Sequence, residues 1–346
     1  MSGNKSKADT CLKEIADILN HKQIGKVYDV YQHNAVWHMP GGDYYGRDTI
    51  MREYTCLLAA FPDLSYRSVD SICVEDQNGG TRLLELFEWS GTNSGFGIMG
   101  PPTEKSVTIS GLRIIFWRQG RIIEEWIQDD RLHLIKQLGL DSAEAVGLLK
   151  QNSCPDFIWD AGDGEIAHTI GQTTPDAWSQ WPEEHPSPEV LVETLFAKVW
   201  NWRLLKSVDD LFAVDCRFNL SGGVICEDLD GYRADVLNRL AAFSDLTMLC
   251  DDIFWAQASG DLIETGLRWT MIGTHDGFSS YGDPSGARVC VPGLSLIRIK
   301  HDRIVNFVER FGELALLSRV KDVPSGQPNT NNIHHTDEES EKYLNE

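Results

Sequence analysis

An internal repeat is the feature that most limits how this chain can fold. The segments AAFPDL (59–64) and AAFSDL (241–246) lie 182 residues apart. At the same offset GTNSGF (91–96) aligns with GTHDGF (273–278). The register holds without a gap over roughly seventy residues, which chance does not produce. The chain therefore consists of two copies of one module.

Both copies show the same order of predicted elements. A helix with apolar residues at helical spacing is followed by a short strand, a second helix and four long strands rich in β-branched and aromatic residues. In the first copy these elements are predicted at 8–30, 33–39, 48–61, 65–75, 80–91, 105–118 and 121–129. In the second they are predicted at 189–214, 215–220, 230–243, 247–257, 261–273, 287–300 and 303–310. This order predicts an α+β fold of two tandem cone-shaped domains, each a curved antiparallel sheet closed by N-terminal helices.

The chain length suits two domains with a connector and a tail. The predicted divisions are a first domain at 1–140, a partly ordered connector at 141–188, a second domain at 189–320 and a disordered tail at 321–346. The connector begins with a predicted helix and is then rich in Pro and Gly, but its three Trp residues indicate that it packs on the domains. The adjacent His334 and His335 of the tail are not expected to bind a metal.

Composition excludes several classes of function. The net charge of −21 disfavours nucleic acid and anionic membranes as partners. Eight scattered cysteines without a C-x-x-C pair indicate free thiols in a reducing cytoplasm. No apolar leader or membrane-spanning run is seen, so a cytoplasmic protein is expected. No metal cluster, nucleotide fingerprint or nucleophile elbow is found, so no metal and no cofactor is predicted.

Motifs of the first copy resemble those of a known family. FPDL, then GTNSGFGIMGPPT, then GRIIEEWIQDDRLHLIKQLG are similar to motifs of the SnoaL-like polyketide cyclases. The resemblance covers about 33–139 and extends through the repeat to about 189–320. It implies the nuclear-transport-factor-2-like fold. It also implies closure of a polyketide ring by intramolecular aldol condensation, without metal or organic cofactor.

Asp130 is the main catalytic candidate. It matches the aspartate of the family motif W-x-x-x-D, which the resemblance makes the general acid/base. Strand alternation places Glu124, Trp126 and Gln128 on the same face as Asp130, and this face is expected to line the cavity. The alternative is that Asp130 caps the helix that begins near Arg131. Asp48 and Asp230 are expected to cap the second helix of each copy.

Other candidates surround the expected cavity. His38 is placed at the cavity mouth as a second catalytic candidate, with Trp37 on the opposite face of the strand; a satisfied rim residue is the alternative. Glu85 and Glu88 must point to opposite faces, and Arg113 is a possible partner for the buried one, as a structural ion pair or a substrate clamp. Phe87 and Trp126 are expected to shape the pocket wall. Asn93 stands where the family usually has His.

The second copy lacks these groups. The positions of Asp130, Trp126, Glu124 and His38 are taken by Gly312, Val308, Asn306 and Asn219. Glu309 is expected on the other face of its strand, where it cannot replace Asp130. Arg268 and His275 remain as candidates for a second-domain pocket. The second copy is therefore expected to be a partner domain whose sheet packs on the first in an intramolecular pseudo-dimer. A further homo-oligomer stays possible.

These observations favour a cofactor-independent acid/base enzyme in the first domain. It would cyclise or isomerise a small, largely apolar carbonyl compound. One alternative is a non-catalytic protein that binds a small molecule in a cone-shaped pocket. Another is a hydrolase in which Asp130 positions a water molecule. The sequence does not identify the substrate.

Overall fold

Two sheets with helices on one face form the framework. The structure is a computed structural model that describes residues 2–76, 79–152, 158–159 and 186–322. The strands of the first copy are β1 (Tyr31–Met39), β2 (Gly42–Tyr45), β3 (Ser65–Glu75), β4 (Thr81–Thr92), β5 (Ser106–Arg118) and β6 (Arg121–Asp129), followed by β7 (Ile158–Trp159). Those of the second are β8 (Phe212–Leu220), β9 (Val224–Cys226), β10 (Thr247–Gln257), β11 (Ile263–Thr274), β12 (Arg288–Lys300) and β13 (Arg303–Phe311). The predicted α+β class is confirmed.

The strand order is the same in both copies. It is β3-β4-β5-β6-β1-β2-β7 in the first sheet and β10-β11-β12-β13-β8-β9 in the second. The long strands form an antiparallel meander, as predicted. However, β1 runs parallel to β6 and β8 runs parallel to β13. Each sheet is therefore mixed: the predicted antiparallel meander is present, and β1 or β8 adds one parallel pair that was not predicted.

The first predicted helix of each copy, 8–30 and 189–214, is divided into shorter segments, whereas the second, 48–61 and 230–243, differs only at its ends. In the first copy they are Ser2–Asn20, Val27–Val30, Arg47–Ala60, Arg131–Leu138 and Ser142–Asn152, with a 3₁₀ turn at Ile24–Lys26. In the second they are Pro188–Leu195, Ser207–Leu211, Leu229–Ala242 and Glu313–Asp322, with a π-helical turn at Phe196–Asn201 and a 3₁₀ turn at Ser221–Gly223. The predicted caps were wrong: Gly46 precedes the first of the paired helices without a side-chain cap, and Asp228, not Asp230, caps the second.

The outer faces of the two sheets pack against each other. One apolar cluster joins the two copies and contains three pairs of equivalent residues, Ile72 with Phe254, Leu112 with Leu294 and Ile114 with Leu296. Leu84 of the first copy and Val308 of the second complete it. Leu84 lies against Gly266, where an added Cβ would be 3.1 Å from its Cδ1. This face-to-face packing is what an intramolecular pseudo-dimer requires.

Two ion pairs join the two sheets beside this apolar cluster. Arg82 Nη1 lies 2.9 Å from Asp252 Oδ1 across the interface, and Arg298 pairs with Asp70. Asp70 and Asp252 occupy equivalent positions, each beside a register shift of its edge strand. The aspartates are therefore equivalent in the two copies, whereas their arginine partners are not.

Some predicted features lie outside the described residues. The connector is described only at its first helix and at β7, and Trp178, Trp181, His334 and His335 lie outside. No helix in the described part is long and apolar enough to cross a membrane. No disulfide joins the cysteines within that part either.

Candidate functional site

The first copy contains a cavity of about 680 Å³. It lies between the helix Arg47–Ala60, the loop that follows β4 and the start of the helix Arg131–Leu138. Its apolar wall is formed by Leu57, Ala59, Ala60, Phe61, Trp89, Ile98, Met99, Leu134 and Leu138. A cavity of this size with few polar groups is typical of small-molecule sites.

The charged side chains that line this cavity include an ion pair, Asp129 with Arg131, and also Arg52 and Glu53. Asp129 and Arg131 both line it, and Arg131 Nε lies 2.9 Å from Asp129 Oδ1. Within the described residues, Oδ2 of Asp129 has no hydrogen-bond partner. Burial alone would lower the pKa of Arg131, but the charges of Asp129 and Glu53 outweigh it and raise that pKa. Arg131 therefore stays charged and holds one oxygen of Asp129.

The loop at the cavity rim is fixed at its base. Asn93 is buried, and its Oδ1 accepts hydrogen bonds from Thr103 N at 2.9 Å and Thr103 Oγ1 at 3.0 Å. Gly95 packs so closely on the helix that an added Cβ would lie 1.9 Å from Ala59 O. Phe96 at the rim is 74% exposed. The residue at position 93 therefore shapes the loop and does not point its polar atoms at a ligand.

The predicted catalytic residue Asp130 does not line this cavity. Its Oδ1 accepts hydrogen bonds from His133 N and Gly222 N, both at 3.0 Å, and its Oδ2 accepts one from Gly223 N at 2.9 Å. The alternative that Asp130 caps the helix Arg131–Leu138 is confirmed. Because Asp130 is buried and does not line the cavity, it is not placed to position a water molecule there.

The strand alternation of β6 was predicted correctly, but the face was not. Glu124, Trp126 and Gln128 share the outer face of the sheet, and Trp126 packs against the apolar cluster between the domains. The inner face carries Glu125 and Asp129 instead. A Trp in an alternating row suggested a cavity wall, whereas this face is apolar because a second sheet covers it.

His38 also lies on the outer face and not at the cavity mouth. Its Nδ1 lies 2.9 Å from Asp43 Oδ1, and its Nε2 lies 3.0 Å from Glu124 Oε1. The imidazole stacks on Trp126 at 5.1 Å, and the Arg268 guanidinium lies 4.9 Å from the same Trp ring. Arg268 is therefore placed between the domains and not in a second-domain pocket. Trp37 points inward, as expected for a neighbour of opposite parity.

The surroundings of His38 make the stability of the fold depend on pH. Burial would lower its pKa, but the hydrogen bonds to Asp43 and Glu124 outweigh burial and raise the pKa to about 9. Because this pKa exceeds the unfolded value, the stabilisation is complete below about pH 6.5 and is lost as pH rises through 9. We expect His38→Asn to cost up to about 3 kcal/mol at pH 6 and little at pH 10, measured by urea unfolding. A cost that does not change with pH would contradict this.

A buried ion cluster fills the base of the first cone. Arg113 lies 3.3 Å from Glu85 Oε2 through Nε and 3.1 Å from Glu125 Oε1 through Nη1. Tyr66 donates to Glu85 at 2.5 Å, and Tyr31 donates to Glu125 at 2.7 Å. Burial raises the pKa of Glu125, and the Arg113 charge opposes this.

This cluster contains the predicted Glu85–Arg113 pair, together with the Phe87 ring, which lies 4.7 Å from the Arg113 guanidinium. Glu88 pairs with exposed Arg67 on the outer face, as parity predicted. Glu125 and its tyrosine partners were missed, although Glu125 sits at an inward position of β6 opposite Ile115. None of these groups lines the 680 Å³ cavity.

The second copy fills the equivalent space with bulky side chains. Phe311, Glu313 and Tyr281 occupy the positions of Asp129, Arg131 and Met99, and all three are buried or nearly so. Arg239, at the position of Leu57, packs over the Phe311 ring at 4.8 Å and pairs with Glu309. Glu309 lies on the opposite strand face from the position of Asp130, as expected, but that face is the interior of its cone.

His275 has a structural position as well. Its Nδ1 lies 3.1 Å from Ser285 Oγ, and its backbone N–H donates to Ala287 O at 2.9 Å. The equivalent backbone bond in the first copy joins Asn93 N to Lys105 O at 2.9 Å. His275 therefore fixes the loop of the second copy as Asn93 fixes that of the first. Across the described ranges, no three His, Cys, Asp or Glu side chains converge to hold a metal ion.

Comparisons with known proteins agree with the repeat. The family model described as SnoaL-like polyketide cyclase matches residues 9–138 and 190–318. No curated protein matches the chain.

Many solved structures match, and the three that follow each cover about one copy. A proposed SnoaL-like polyketide cyclase from Jannaschia Sp. CCS1 is 17% identical, covering 41% of this chain and 100% of its own, with a TM-score of 0.35. IdmH, a proposed polyketide cyclase from Streptomyces antibioticus, is 22% identical over 39% of this chain and 99% of its own, with a TM-score of 0.34. AclR, a proposed hydroxylase from Streptomyces galilaeus, is 19% identical over 39% and 86%, with a TM-score of 0.35.

Proposed function

Because the chain belongs to the SnoaL-like polyketide cyclase family, we propose that its first domain is a cofactor-independent acid/base enzyme. Its substrate would be a small, largely apolar carbonyl compound, which it cyclises by an aldol-type step or isomerises. The observation that supports this best is the 680 Å³ apolar cavity with the Asp129–Arg131 pair at one end. A largely apolar wall with a few charged groups binds a ring system and directs its carbonyl groups toward those groups.

Asp129 is the proposed proton carrier. Its Oδ2 takes a proton from a carbon next to a carbonyl group, which leaves an enolate on the substrate. In an aldol cyclisation the enolate carbon then attacks a second carbonyl carbon of the same molecule. This forms the ring bond and an alkoxide, and Asp129 returns the proton to the alkoxide oxygen. The Arg131 guanidinium orients Asp129 and places a positive charge beside the developing enolate.

One observation favours the alternative of binding without catalysis. Asp129 already forms an ion pair with Arg131, and such a pair can recognise a polar group of a ligand without transferring a proton. The two functions differ in turnover and not in binding. Measuring the binding and the turnover of one and the same small molecule therefore distinguishes the enzyme from the binding protein.

We expect the chain to bind β-tetralone, a bicyclic aromatic ketone, and to accelerate exchange of its α-hydrogens with D₂O, followed by proton NMR. Met99→Trp should abolish both, because the indole would fill the cavity that buried Met99 lines. An unchanged melting temperature is the control for folding. Binding without faster exchange would support the binding protein. Exchange that survives Met99→Trp would place the chemistry elsewhere.

A further inference from the structure

We infer that the second domain is a structural part of the active site of the first, because its Gly222–Gly223 turn holds Asp130 and so positions Asp129 and Arg131. This inference rests on the proposed function of the first-domain cavity. It assigns a role to the copy whose own cone is filled, and it makes Asp130 a positioning residue.

The contact is a carboxylate shared between two domains. Asp130 is 4% exposed, and it accepts amide hydrogen bonds from Gly222 and Gly223 of the second domain and from His133 of the first. Hydrogen bonds from amides to an ionised carboxylate are short and stronger than those between neutral groups. The same side chain therefore caps the helix Arg131–Leu138 and ties its first turn to the second domain.

The turn that meets Asp130 requires glycine at both positions. Gly222 and Gly223 have φ of +73° and +76°, in the left-handed region that side chains rarely adopt. An added Cβ on Gly223 would lie 2.4 Å from His133 Nδ1, and one on Gly222 would lie 2.8 Å from Glu313 Oε2. Two successive glycines thus let adjacent amides reach the two oxygens of one carboxylate.

Further contacts hold the two domains together at this point. Lys136 Nζ donates to Gly222 O at 3.2 Å, which joins the same helix to the same turn a second time. Buried Arg310 of the second domain donates to Ser110 Oγ at 2.6 Å, and Ser110 O accepts the backbone N–H of Asp130 at 3.2 Å. The second domain therefore holds Asp130 directly through its side chain, and indirectly through Lys136 and Ser110.

The proposed catalytic pair lies directly beside this contact. Asp129 and Arg131 flank Asp130 in the chain, and Leu134 and Leu138 of the same helix form part of the cavity wall. A displacement of about 1 Å at a catalytic group costs on the order of 100-fold in rate. The Gly222–Gly223 turn therefore sets where Asp129 stands relative to the substrate.

In the second copy, the position equivalent to Asp130 does not hold a turn of the other domain through a carboxylate. Gly312, at the position of Asp130, lies against Pro40 of the first domain, and an added Cβ would be 3.2 Å from Pro40 Cβ. The first copy has Gly41 and Gly42 at the positions of Gly222 and Gly223, but Gly312 offers them no carboxylate to hold. The carboxylate is therefore kept only on the side where it supports the open cavity.

Gly223→Ala tests this inference, with Gly286→Ala as the matched control. Both glycines have positive φ, +76° and +72°, but only the Cβ at 223 meets a neighbour. We expect Gly223→Ala to lower kcat for β-tetralone exchange about 10-fold or more with KM little changed, because the wall stays intact while Asp129 moves. Hydrogen–deuterium exchange read by mass spectrometry should also rise in residues 131–138. Gly286→Ala should show neither effect.

A second-site variant separates positioning from general loss of stability. Adding His133→Ala to Gly223→Ala removes the ring that the new Cβ would meet, and should restore both kcat and the protection of residues 131–138. The inference is overturned if Gly223→Ala matches Gly286→Ala in both readouts, or if His133→Ala restores neither. Should the wild-type chain show no ketone exchange at all, the proposed function fails. The protection of residues 131–138 would still decide whether the turn holds this helix.

Discussion

Asp129→Asn lowers the rate of β-tetralone exchange by about 10²- to 10⁴-fold, the usual contribution of a general acid/base group, and changes ketone affinity by less than about threefold. The amide has nearly the volume of the carboxylate, so the cavity keeps its shape. It still accepts the hydrogen bond from Arg131 through its remaining oxygen. What it loses is the ability to take a proton from carbon at neutral pH. The measurement is kcat and KM from deuterium incorporation, with the dissociation constant from NMR titration.

Two further variants control this result. Asp29→Asn removes an exposed carboxylate of the same domain and should leave the rate unchanged. Asp130→Asn keeps an acceptor oxygen for two of the amides but sets an NH₂ group against the third, and should lower the rate less than Asp129→Asn. If Asp130→Asn abolished exchange and Asp129→Asn did not, the two carboxylates would have to be reassigned.

Arg113→Met destabilises the first domain by about 3–5 kcal/mol, the cost of breaking a buried ion cluster by removing one partner. Methionine fills much of the volume but leaves Glu85 and Glu125, both fully buried, without their counter-charge. Their tyrosine donors cannot compensate for two carboxylates in an apolar interior. The measurement is the free energy of unfolding from urea denaturation at pH 7.

Arg67→Met is the matched control for this prediction. Arg67 also pairs with a glutamate across neighbouring strands, but its side chain is 64% exposed, so the loss should stay below about 1 kcal/mol. Lowering the pH toward 5 should reduce the cost of Arg113→Met, because burial raises the pKa of Glu125 and protonation removes the unpaired charge. Equal costs for the two arginines would contradict the role given to the cluster.

The fold could be predicted from the sequence because each pattern of helix or strand residues occurs twice, once in each copy. Matching elements at a constant offset fixed the helices and long strands, whereas the short strands β2 and β9 carry too few residues to show a pattern. The parallel pairing of β1 with β6 could not be read from periodicity, since alternation is the same in both orientations.

The site was less accessible, for a physical reason. Alternation shows that Trp126 and Gln128 share a face but not which face points to the helices. In this chain the outer face is also apolar, because a second sheet covers it. The family motif directed attention to Asp130, while its neighbour Asp129 has the parity that reaches the cavity. Because both faces of the sheet are buried, the sequence pattern alone could not show whether Asp129 or Asp130 reaches the cavity.

The central claim is that, within the part of the chain that the structure describes, the small-molecule cavity lies in the first domain and the equivalent space of the second domain is filled. Fluorescence titration with anilinonaphthalene sulfonate tests it most directly, because the dye is apolar with one anionic group that suits Arg131. The account predicts one dye molecule per chain, bound in the wild type, lost in Met99→Trp and retained when the equivalent Tyr281 is changed to Trp. Two dye molecules per chain, or one that remains bound in Met99→Trp and is lost in Tyr281→Trp, would contradict it.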